Sequence, residues 1–455
     1  MLASLQNLYR RIFSRPAVRP QAGAGASAAL EDFEELNRQA PLRHTSTAST
    51  STLLCRDPLL GRDQRIAGYR FTLRESTRNR IRLSSRSIHH VYAEVLVNNL
   101  LEANVLRLLE HRLAVIEVPD SFLWHPSLRR FPSANTIFTL ERTDDRSLQH
   151  QQELVQQIAV LRQLGYRIGM HASTLEEIPA ELMPLLSMVL TSGARSDPGD
   201  LRRLLACLHR QAPHAEIAAI DLDTTEEFQF LHGLGARYFH GPFVTRREEW
   251  KTADIAPEVL KARPLIEALR SDGPLAEVVA QAKRNPLIVL RLLRYANSAA
   301  FHRGTEVSSI EHAIQLVGRT QLLRWLMLVL LGGHAGDGRS HAALESAMVR
   351  GRTLELLAPQ AEGSNLFLVG LLSLADVIFQ AEMASALDSL GVSEDIRAAI
   401  LSGSGPYGAM LALAMAWESG EIERIEECAQ RCQLGLESTA EAYMQALWWA
   451  LEVPS

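Results

Sequence analysis

The sequence predicts a multidomain chain in which an α/β domain of alternating strands and helices precedes an all-α domain. In the first half, short apolar runs such as 114–118 and 136–140 alternate with polar helical stretches such as 147–164. This alternation is typical of a parallel sheet, either closed into a barrel or left open and doubly wound. From Pro264 onward only long helical patterns remain, so a domain boundary is predicted near residue 250.

A complete β-α-β unit is predicted near the end of the first half. Residues 217–222 form a short apolar run that ends in acid, and Thr224 is a candidate N-cap for the helix that follows. Gly235 suits the C-terminal end of that helix, and 238–245 has the pattern of the next strand. Other predicted elements are a strand over 166–170 and weaker repeats over 182–190 and 200–210.

The helical half contains several recognisable helix ends. Asn285 and Pro286 stand where an N-cap and a first-turn proline belong. Ser308 or Ser309 is predicted to cap the next helix, and Gly318 separates it from a third. The residues predicted to face the core of these helices are Ile288, Leu292, Tyr295, Ala299, Leu322, Leu326 and Val329.

From Cys55 to about Thr245 the chain resembles an EAL domain, the barrel fold whose active members hydrolyse cyclic di-GMP with two bound divalent metals. CRDPLLGRDQRIAGYRFTLRES is similar to the first strands of that family, and GARYFHGPFV is similar to its last strand. The resemblance favours a barrel over an open sheet. It implies an α/β TIM-like, EAL-type barrel over residues 51–250.

Most positions at which the EAL family carries catalytic or metal-binding residues hold other residues in this chain. Arg70 stands where the family has its name-giving glutamate, and the family's lysine is absent at Leu190 and Thr191. The degenerate EAL positions implied by the resemblance are Arg70, Glu117, Thr139, His171, Ala172, Ile220, Asp223 and His240.

These replacements argue against a two-metal site. Two divalent cations about 4 Å apart repel by about 16 kcal/mol at an effective dielectric near 20, so they need a cluster of anionic oxygens. Arg70 would instead place a permanent positive charge among them. We therefore expect no catalytic residue, metal or cofactor in the barrel. A new metal site would require Glu117, His171, Asp223 and His240 to converge.

Arg74 matches the position at which the EAL family uses an arginine to contact the dinucleotide phosphate. It is the sole ligand-binding candidate that the resemblance implies, and the ligand would be cyclic di-GMP bound weakly. The alternative is that Arg74 pairs with a neighbouring carboxylate or faces solvent.

Residues 255–455 resemble an HDOD domain, the all-helical relative of the HD phosphohydrolases that lacks their metal-binding histidines and aspartates. NPLIVLRLLRYANSAAF, VSSIEHAIQLVGRTQLLRWL and FLVGLLSLAD carry this resemblance as a set. Ser373 and Leu374 hold the place of the HD dyad, so this metal site is expected to be missing as well. Asp376 is interpreted as a structural acid with its hydrogen bonds satisfied.

Composition excludes several partner classes. The chain has 47 Lys and Arg against 52 Asp and Glu, a net charge of -5, so no overall basic field would attract nucleic acid. The local basic run 74–86 is interpreted as a solvated face. The apolar stretches of the chain are too short for a membrane span. The four cysteines of the chain suggest free thiols in a reducing cytoplasm.

Residues 1–50 are low in complexity and are predicted to be a disordered tail. Leu2, Leu5, Leu8 and Ile12 share one side of a short segment that also carries arginines. The alternatives are a weak peripheral membrane anchor and an organellar transit peptide.

A degenerate EAL module followed by an HDOD domain is a bacterial signalling architecture. The resemblance implies a non-catalytic signalling adaptor that acts through a protein partner. A non-hydrolysing sensor of cyclic di-GMP or another nucleotide is the alternative, and a phosphodiesterase with rewired metal ligands is a third hypothesis. An exposed apolar groove between Pro274 and Leu331 would favour the adaptor.

Overall fold

The computed structural model describes residues 54–73, 86–102, 112–142, 147–193, 198–248, 250, 255, 257–271, 273–297, 307–334, 338–359 and 362–452. The chain divides into two compact units, and the boundary between their main parts lies between Phe243 and Val244. Arg74, residues 74–85 of the basic run and the predicted tail over 1–50 lie outside the described residues.

The first unit is a closed barrel whose strands follow one another in chain order. The strands are β1 (Leu54–Leu60), β2 (Ile66–Leu73), β3 (Leu113–Pro119), β4 (Thr136–Glu141), β5 (Arg167–His171), β6 (Met188–Ser192), β7 (Glu216–Ile220) and β8 (Tyr238–Phe239). β1 is antiparallel to both β2 and β8, whereas the remaining neighbours are parallel. The helices of this unit are α1 (Arg86–Glu102), α2 (Leu148–Gln163), α3 (Pro198–Gln211) and α4 (Thr225–Gly233).

The predicted α/β barrel is confirmed, and so are most of its local signals. Ser147 caps α2, because its hydroxyl accepts a hydrogen bond from the His150 amide at 3.2 Å. Thr224 caps α4 in the same way through the Glu227 amide at 3.1 Å. Gly235 follows α4 with a φ of 98°, in the left-handed region that favours glycine.

One of the weaker repeats and one predicted strand differ from the strands that the structure contains. Within 182–190, residues up to Leu185 form a 3₁₀ helix containing Pro184, and β6 begins only at Met188. β8 ends at Phe239, well before residue 245. At Gly241 a Cβ would lie 2.2 Å from the Leu222 amide nitrogen, and φ is 152°. This close approach of two backbones ends the strand.

The second unit is helical throughout its described residues. Its helices are α5 (Pro257–Arg270), α6 (Leu275–Lys283), α7 (Pro286–Ala296), α8 (Ile310–Val317), α9 (Arg319–His334), α10 (Gly338–Leu357), α11 (Gly363–Leu372), α12 (Ala375–Phe379), α13 (Met383–Leu390), α14 (Glu394–Ser402), α15 (Gly408–Ser419), α16 (Ile422–Arg431) and α17 (Leu436–Glu452). One apolar core contains residues of every helix from α5 to α15, and it includes the predicted Ile288, Leu292, Leu322 and Leu326.

Helix ends in this unit follow the predicted chemistry. The Asn285 side chain accepts from the Ile288 amide at 3.3 Å, with Pro286 in the first turn of α7. Ser309, and not Ser308, caps α8, and Gly318 ends that helix with a φ of 80°. Of the residues predicted to face the core, Ala299 lies outside the described residues.

Helices α10 and α11 pack closely because glycines meet at their contact. A Cβ added to Gly370 would lie 2.3 Å from the Gly351 amide nitrogen, a distance that no real Cβ adopts. A Cβ added to Gly363, on the same helix, would make only ordinary contacts at 3.7 Å or more. The glycine in FLVGLLSLAD is therefore required by packing.

Among the described residues, no single helix combines the length and apolarity needed to cross a membrane. The bent pair Ile310–Val317 and Arg319–Gly333, with 105° between its helices, meets the same test when taken together. Cys428 and Cys432 carry free thiols.

Candidate functional site

The barrel interior is apolar at one level and polar at the next. The apolar level consists of Leu59, Val115, Ile137, Met188, Leu190, Ala218, Ile220 and Tyr238. Because side chains alternate along a strand, residues two positions away point to the same interior. At the end where the parallel strands terminate, a polar set lies beyond this level, which we call the barrel mouth. The barrel mouth comprises Asp57, Arg70, Glu117, Thr139, His171 and His240.

A buried ion pair lies at the centre of the barrel mouth. Arg70 Nη2 on β2 donates to Glu117 Oε2 on β3 at 2.7 Å, and the two side chains are 5% and 6% exposed. Burial alone would lower the pKa of Arg70, but the negative charges of Glu117, Asp57 and Asp221 outweigh it and raise that pKa above its ordinary value. Arg70 therefore remains a cation.

Two histidines flank this pair, each beside a carboxylate. His171 Nε2 lies 3.8 Å from Glu117 Oε1, and His240 Nε2 lies 3.9 Å from Asp57 Oδ2. His240 Nδ1 is 3.2 Å from the Pro58 carbonyl oxygen and donates to it in the tautomer that carries a proton there. Each imidazole thus lies beside a separate acid.

Three buried polar atoms of the barrel mouth have no hydrogen-bond partner. They are Arg70 Nε, Thr139 Oγ1 and His171 Nε2, and the side chains of Arg70 and Thr139 are almost fully buried. Native interiors rarely leave such atoms unpaired. The barrel mouth can thus still offer hydrogen bonds to a polar group.

The degenerate EAL positions converge only in part. Arg70, Glu117, Thr139, His171 and His240 share the barrel mouth, as the resemblance implies. Ile220 belongs to the apolar level, and Ala172 begins a 3₁₀ helix after β5.

Asp223 is exposed, and its amide donates to Glu227 Oε2 at 2.7 Å beside the cap of α4. Asp221 approaches Arg70 instead, since it is among the charges that raise the pKa of Arg70. Asp221 has a φ of 55°, and a left-handed residue at the end of β7 redirects the chain there.

Sequence reasoning also missed Asp57. The antiparallel register sets Asp57 on β1 directly opposite Arg70 on β2. The sequence could not predict that Asp57 lies opposite Arg70, because this pairing depends on the antiparallel direction of β1.

The residues of the barrel mouth do not fit a two-metal centre. In the part of the chain that the structure describes, no three His, Cys, Asp or Glu side chains are placed to hold a metal ion. Glu117 and His171 are neighbours, but His240 pairs with Asp57, and Asp223 faces solvent. Any metal drawn to Glu117 would meet the Arg70 guanidinium already bound there.

An arginine also contacts the position of the HD dyad in the helical domain. Arg350 on α10 donates from Nη1 to Ser373 Oγ at 3.0 Å and from Nε to Glu418 Oε2 at 2.6 Å. Its side chain is 8% exposed. Leu374 is buried. Sequence reasoning did not find Arg350, which lies 23 residues before Ser373.

Asp376 departs from the expectation of a satisfied structural acid. Its Oδ2 lies 3.4 Å from Arg247 Nε, but its buried Oδ1 has no hydrogen-bond partner. Burial raises the pKa of the Asp376 carboxyl, and the positive charges of Arg247 and Arg350 offset this only partly.

The segment that opens the second unit is held by one buried arginine. Arg339 on α10 donates to the Arg246 carbonyl at 2.9 Å and to Glu248 Oε1 at 2.6 Å. Its guanidinium also lies 5.7 Å from the Trp250 ring centroid. Together with the pair between Arg247 and Asp376, these contacts fix the segment on the helices.

Comparison with known proteins supports both parts of the architecture. Residues 261–395 match the family model of the HDOD domain. The chain is 21% identical over 407 residues to the uncharacterized protein YuxH of Bacillus subtilis, covering 87% of this chain and 97% of that protein. It is 20% identical over 420 residues to the cyclic di-GMP phosphodiesterase CdgJ of Vibrio cholerae, covering 89% and 93%.

EAL-domain proteins also occur among similar solved structures. The YkuI protein of Bacillus subtilis, solved with cyclic di-GMP and calcium, is 14% identical with a TM-score of 0.35, covering 59% of this chain and 73% of that one. The FimX EAL domain of Xanthomonas citri, solved with cyclic di-GMP, is 13% identical with a TM-score of 0.35, covering 48% and 92%. The predicted tandem, an EAL-like barrel followed by an HDOD domain, is confirmed.

Proposed function

We propose that this chain is a non-catalytic signalling adaptor of the EAL–HDOD type that acts through a protein partner. The observation that carries the proposal is the buried pair of Arg70 and Glu117 at the centre of the barrel mouth. Arg70 holds the position of the family's name-giving glutamate and neutralises Glu117, the closest carboxylate.

Charge balance supports this proposal. Metal-assisted phosphodiester hydrolysis needs anionic ligands to hold two dications and a metal-bound water as nucleophile. At the barrel mouth, Asp57, Glu117 and Asp221 supply three negative charges, and Arg70 offsets one of them. The remaining charge falls short of the four positive charges of two dications.

The helical domain offers a surface of the kind that partners use. On α7, Leu287 and Leu290 are 52% and 56% exposed, with the exposed Arg291 beside them. These residues lie at spacings of three and four, on one face of the helix. Apolar side chains mixed with arginine are typical of interface centres.

A second candidate is a sensor that binds cyclic di-GMP without cleaving it. It is favoured by the similarity to CdgJ, which spans 93% of that protein and is named as a cyclic di-GMP phosphodiesterase. The unpaired Arg70 Nε and Thr139 Oγ1 give the barrel mouth free hydrogen-bonding capacity for such a ligand. A phosphodiesterase with rewired ligands is the third.

Calorimetric titration with cyclic di-GMP separates these candidates. The full chain is titrated with and without magnesium or manganese, and the mixtures are analysed for the linear dinucleotide. The adaptor predicts neither heat nor product. Saturable binding without product would replace it with the sensor, and metal-dependent turnover would overturn both.

The partner surface is tested on α7 of the full chain. Leu287→Glu and Leu290→Glu together should abolish retention of a protein that wild type captures reproducibly from the source cells. The matched control is Leu260→Glu on α5, an exposed leucine at 53%. Equal retention by all three chains would exclude this face as the docking surface.

A further inference from the structure

A second cluster of charged side chains lies outside the barrel mouth, where β3 and β4 meet α2. Asp120 directly follows β3, Arg142 directly follows β4, and His150 lies in the first turn of α2. Arg142 Nε is 3.6 Å from Asp120 Oδ2, and His150 Nε2 is 3.7 Å from the same oxygen. Three elements thus bring a guanidinium and an imidazole to one carboxylate.

All three side chains are buried. The exposed fractions are 6% for Arg142, 5% for His150 and 0% for Asp120. Despite this burial, Arg142 Nε, Nη1 and Nη2 and His150 Nε2 all lack a hydrogen-bond partner. The distances to Asp120 bring charges together without forming hydrogen bonds.

Such a set of unpaired donors is rare in a folded protein. A guanidinium presents five N–H donors in a planar fork, and no residue in the described part of the chain accepts from any of the three nitrogens of Arg142. Buried polar atoms are normally paired with protein, ordered water or a bound ion. Unmet donors on a charged group are the most costly kind.

The surroundings of Arg142 favour an anion. α2 spans 16 residues and has no acidic residue in its first turn, so its positive end is not neutralised from within. The buried donors of Arg142 are an observation independent of the helix end.

We propose that Arg142, His150 and the first turn of α2 bind the phosphate group of a small ligand. The donors come from a guanidinium and an imidazole on separate elements, and a phosphate has enough acceptor oxygens to serve both. Asp120 balances one positive charge and holds both donors in place. Arg142 supplies a fixed positive charge, and the imidazole of His150 donates through whichever nitrogen carries its proton. This site is separate from the barrel mouth and independent of the proposed adaptor function.

Inorganic phosphate titrated into the full chain by calorimetry, in chloride buffer of matched ionic strength, tests the proposal. Wild type should bind phosphate saturably with one site per chain. Arg142→Gln should weaken that binding by at least about tenfold, since it removes the charged fork. Arg142→Lys keeps the charge without the fork and should bind with intermediate affinity.

Arg130→Gln is the matched control, because Arg130 is an exposed arginine on the 3₁₀ helix Pro126–Arg130, which lies between β3 and β4 in the sequence. It should bind phosphate as wild type does. Glycerol phosphate and dimethyl phosphate, titrated in parallel, distinguish a monoester ligand from a diester. Binding only by inorganic phosphate would identify the free ion as the ligand.

Three results would overturn the proposal. They are the absence of saturable phosphate binding by wild type, binding unchanged in Arg142→Gln, and an equal loss in Arg130→Gln. If Arg142→Gln does not fold, Arg142→Lys and the wild-type titration against chloride still decide the matter. Phosphate binding without cyclic di-GMP binding separates this site from the barrel mouth.

Discussion

Replacing Glu117 by alanine should lower the unfolding free energy of the barrel by about 3–5 kcal/mol, the usual cost of breaking a buried ion pair from one side. Arg70 cannot shed its charge, since its pKa is raised further above an already high value. It would lose an acceptor at 2.7 Å while its side chain stays 5% exposed. Asp57 and Asp221 offset part of this loss, which places the expected value toward the lower end of that range.

The double variant Arg70→Met/Glu117→Leu isolates the interaction. It removes both buried charges and fills their space with apolar atoms, and such replacements are often close to neutral. We expect the double variant to cost at least about 2 kcal/mol less than the sum of the single variants Glu117→Leu and Arg70→Met, which is a large coupling energy for two residues.

Native-state hydrogen exchange with mass spectrometry measures these changes in the full chain, because it resolves β2 and β3 from the helical domain. The matched control is Glu267→Ala, which breaks the exposed pair of Arg263 and Glu267 at 3.0 Å and should cost no more than about 0.5 kcal/mol. A Glu117→Ala variant that costs no more than Glu267→Ala would refute the reasoning that this pair is buried and unscreened.

Three further predictions concern the helical domain. Gly370→Ala should destabilise it by about 1–3 kcal/mol in urea unfolding, because a Cβ there would overlap the backbone of α10. The unfolding free energy of the Asp376→Asn variant, relative to that of wild type, should increase as pH rises. The folded chain holds the Asp376 proton more tightly than the unfolded chain, so the contribution of this carboxyl falls as pH rises from the ordinary carboxyl range through the raised pKa. Arg339→Gln should speed hydrogen exchange over residues 244–248, since it removes their hydrogen bonds to α10.

Each of these predictions has a control on a similar residue. Gly363→Ala, on the same helix as Gly370, has room for its Cβ and should be neutral or slightly stabilising. Asp388→Asn, at a side chain that is 64% exposed, should show no such pH dependence. Arg291→Gln, at an exposed arginine, should leave exchange over 244–248 unchanged. An effect of equal size in any control would contradict the corresponding mechanism.

Much of the fold could be predicted because its signals are local. Four helix caps accept a hydrogen bond from an amide three residues further along the chain, namely Ser147, Thr224, Asn285 and Ser309. Such a cap depends only on a few neighbouring residues, so a sequence pattern can indicate it. The early end of β8 depends instead on the close approach of Gly241 to the backbone of Leu222, between the chain segments that follow the neighbouring strands β8 and β7. A pattern of apolar residues carries no information about that approach.

The candidate site shows the same division. The resemblance located the strand positions that reach the barrel mouth, because equivalent strands end at equivalent residues. Asp57 was missed since its place depends on the antiparallel register of β1. Asp221 was also missed, because the left-handed backbone at this residue after β7 leaves no mark in the apolar pattern.

The two domains have related arrangements at the positions where the families that they resemble, EAL and HD, hold metals. A guanidinium contacts the matching position in each, with Arg70 bound to Glu117 and Arg350 bound to Ser373 and Glu418. A guanidinium supplies fixed positive charge and directional hydrogen bonds, so it can hold nearby acids without a bound ion. A guanidinium cannot coordinate a water molecule and lower the pKa of that water, as a catalytic metal does. Under the proposed function, introducing one acid would therefore leave each arginine in place, and metal chemistry would require the removal of that arginine as well.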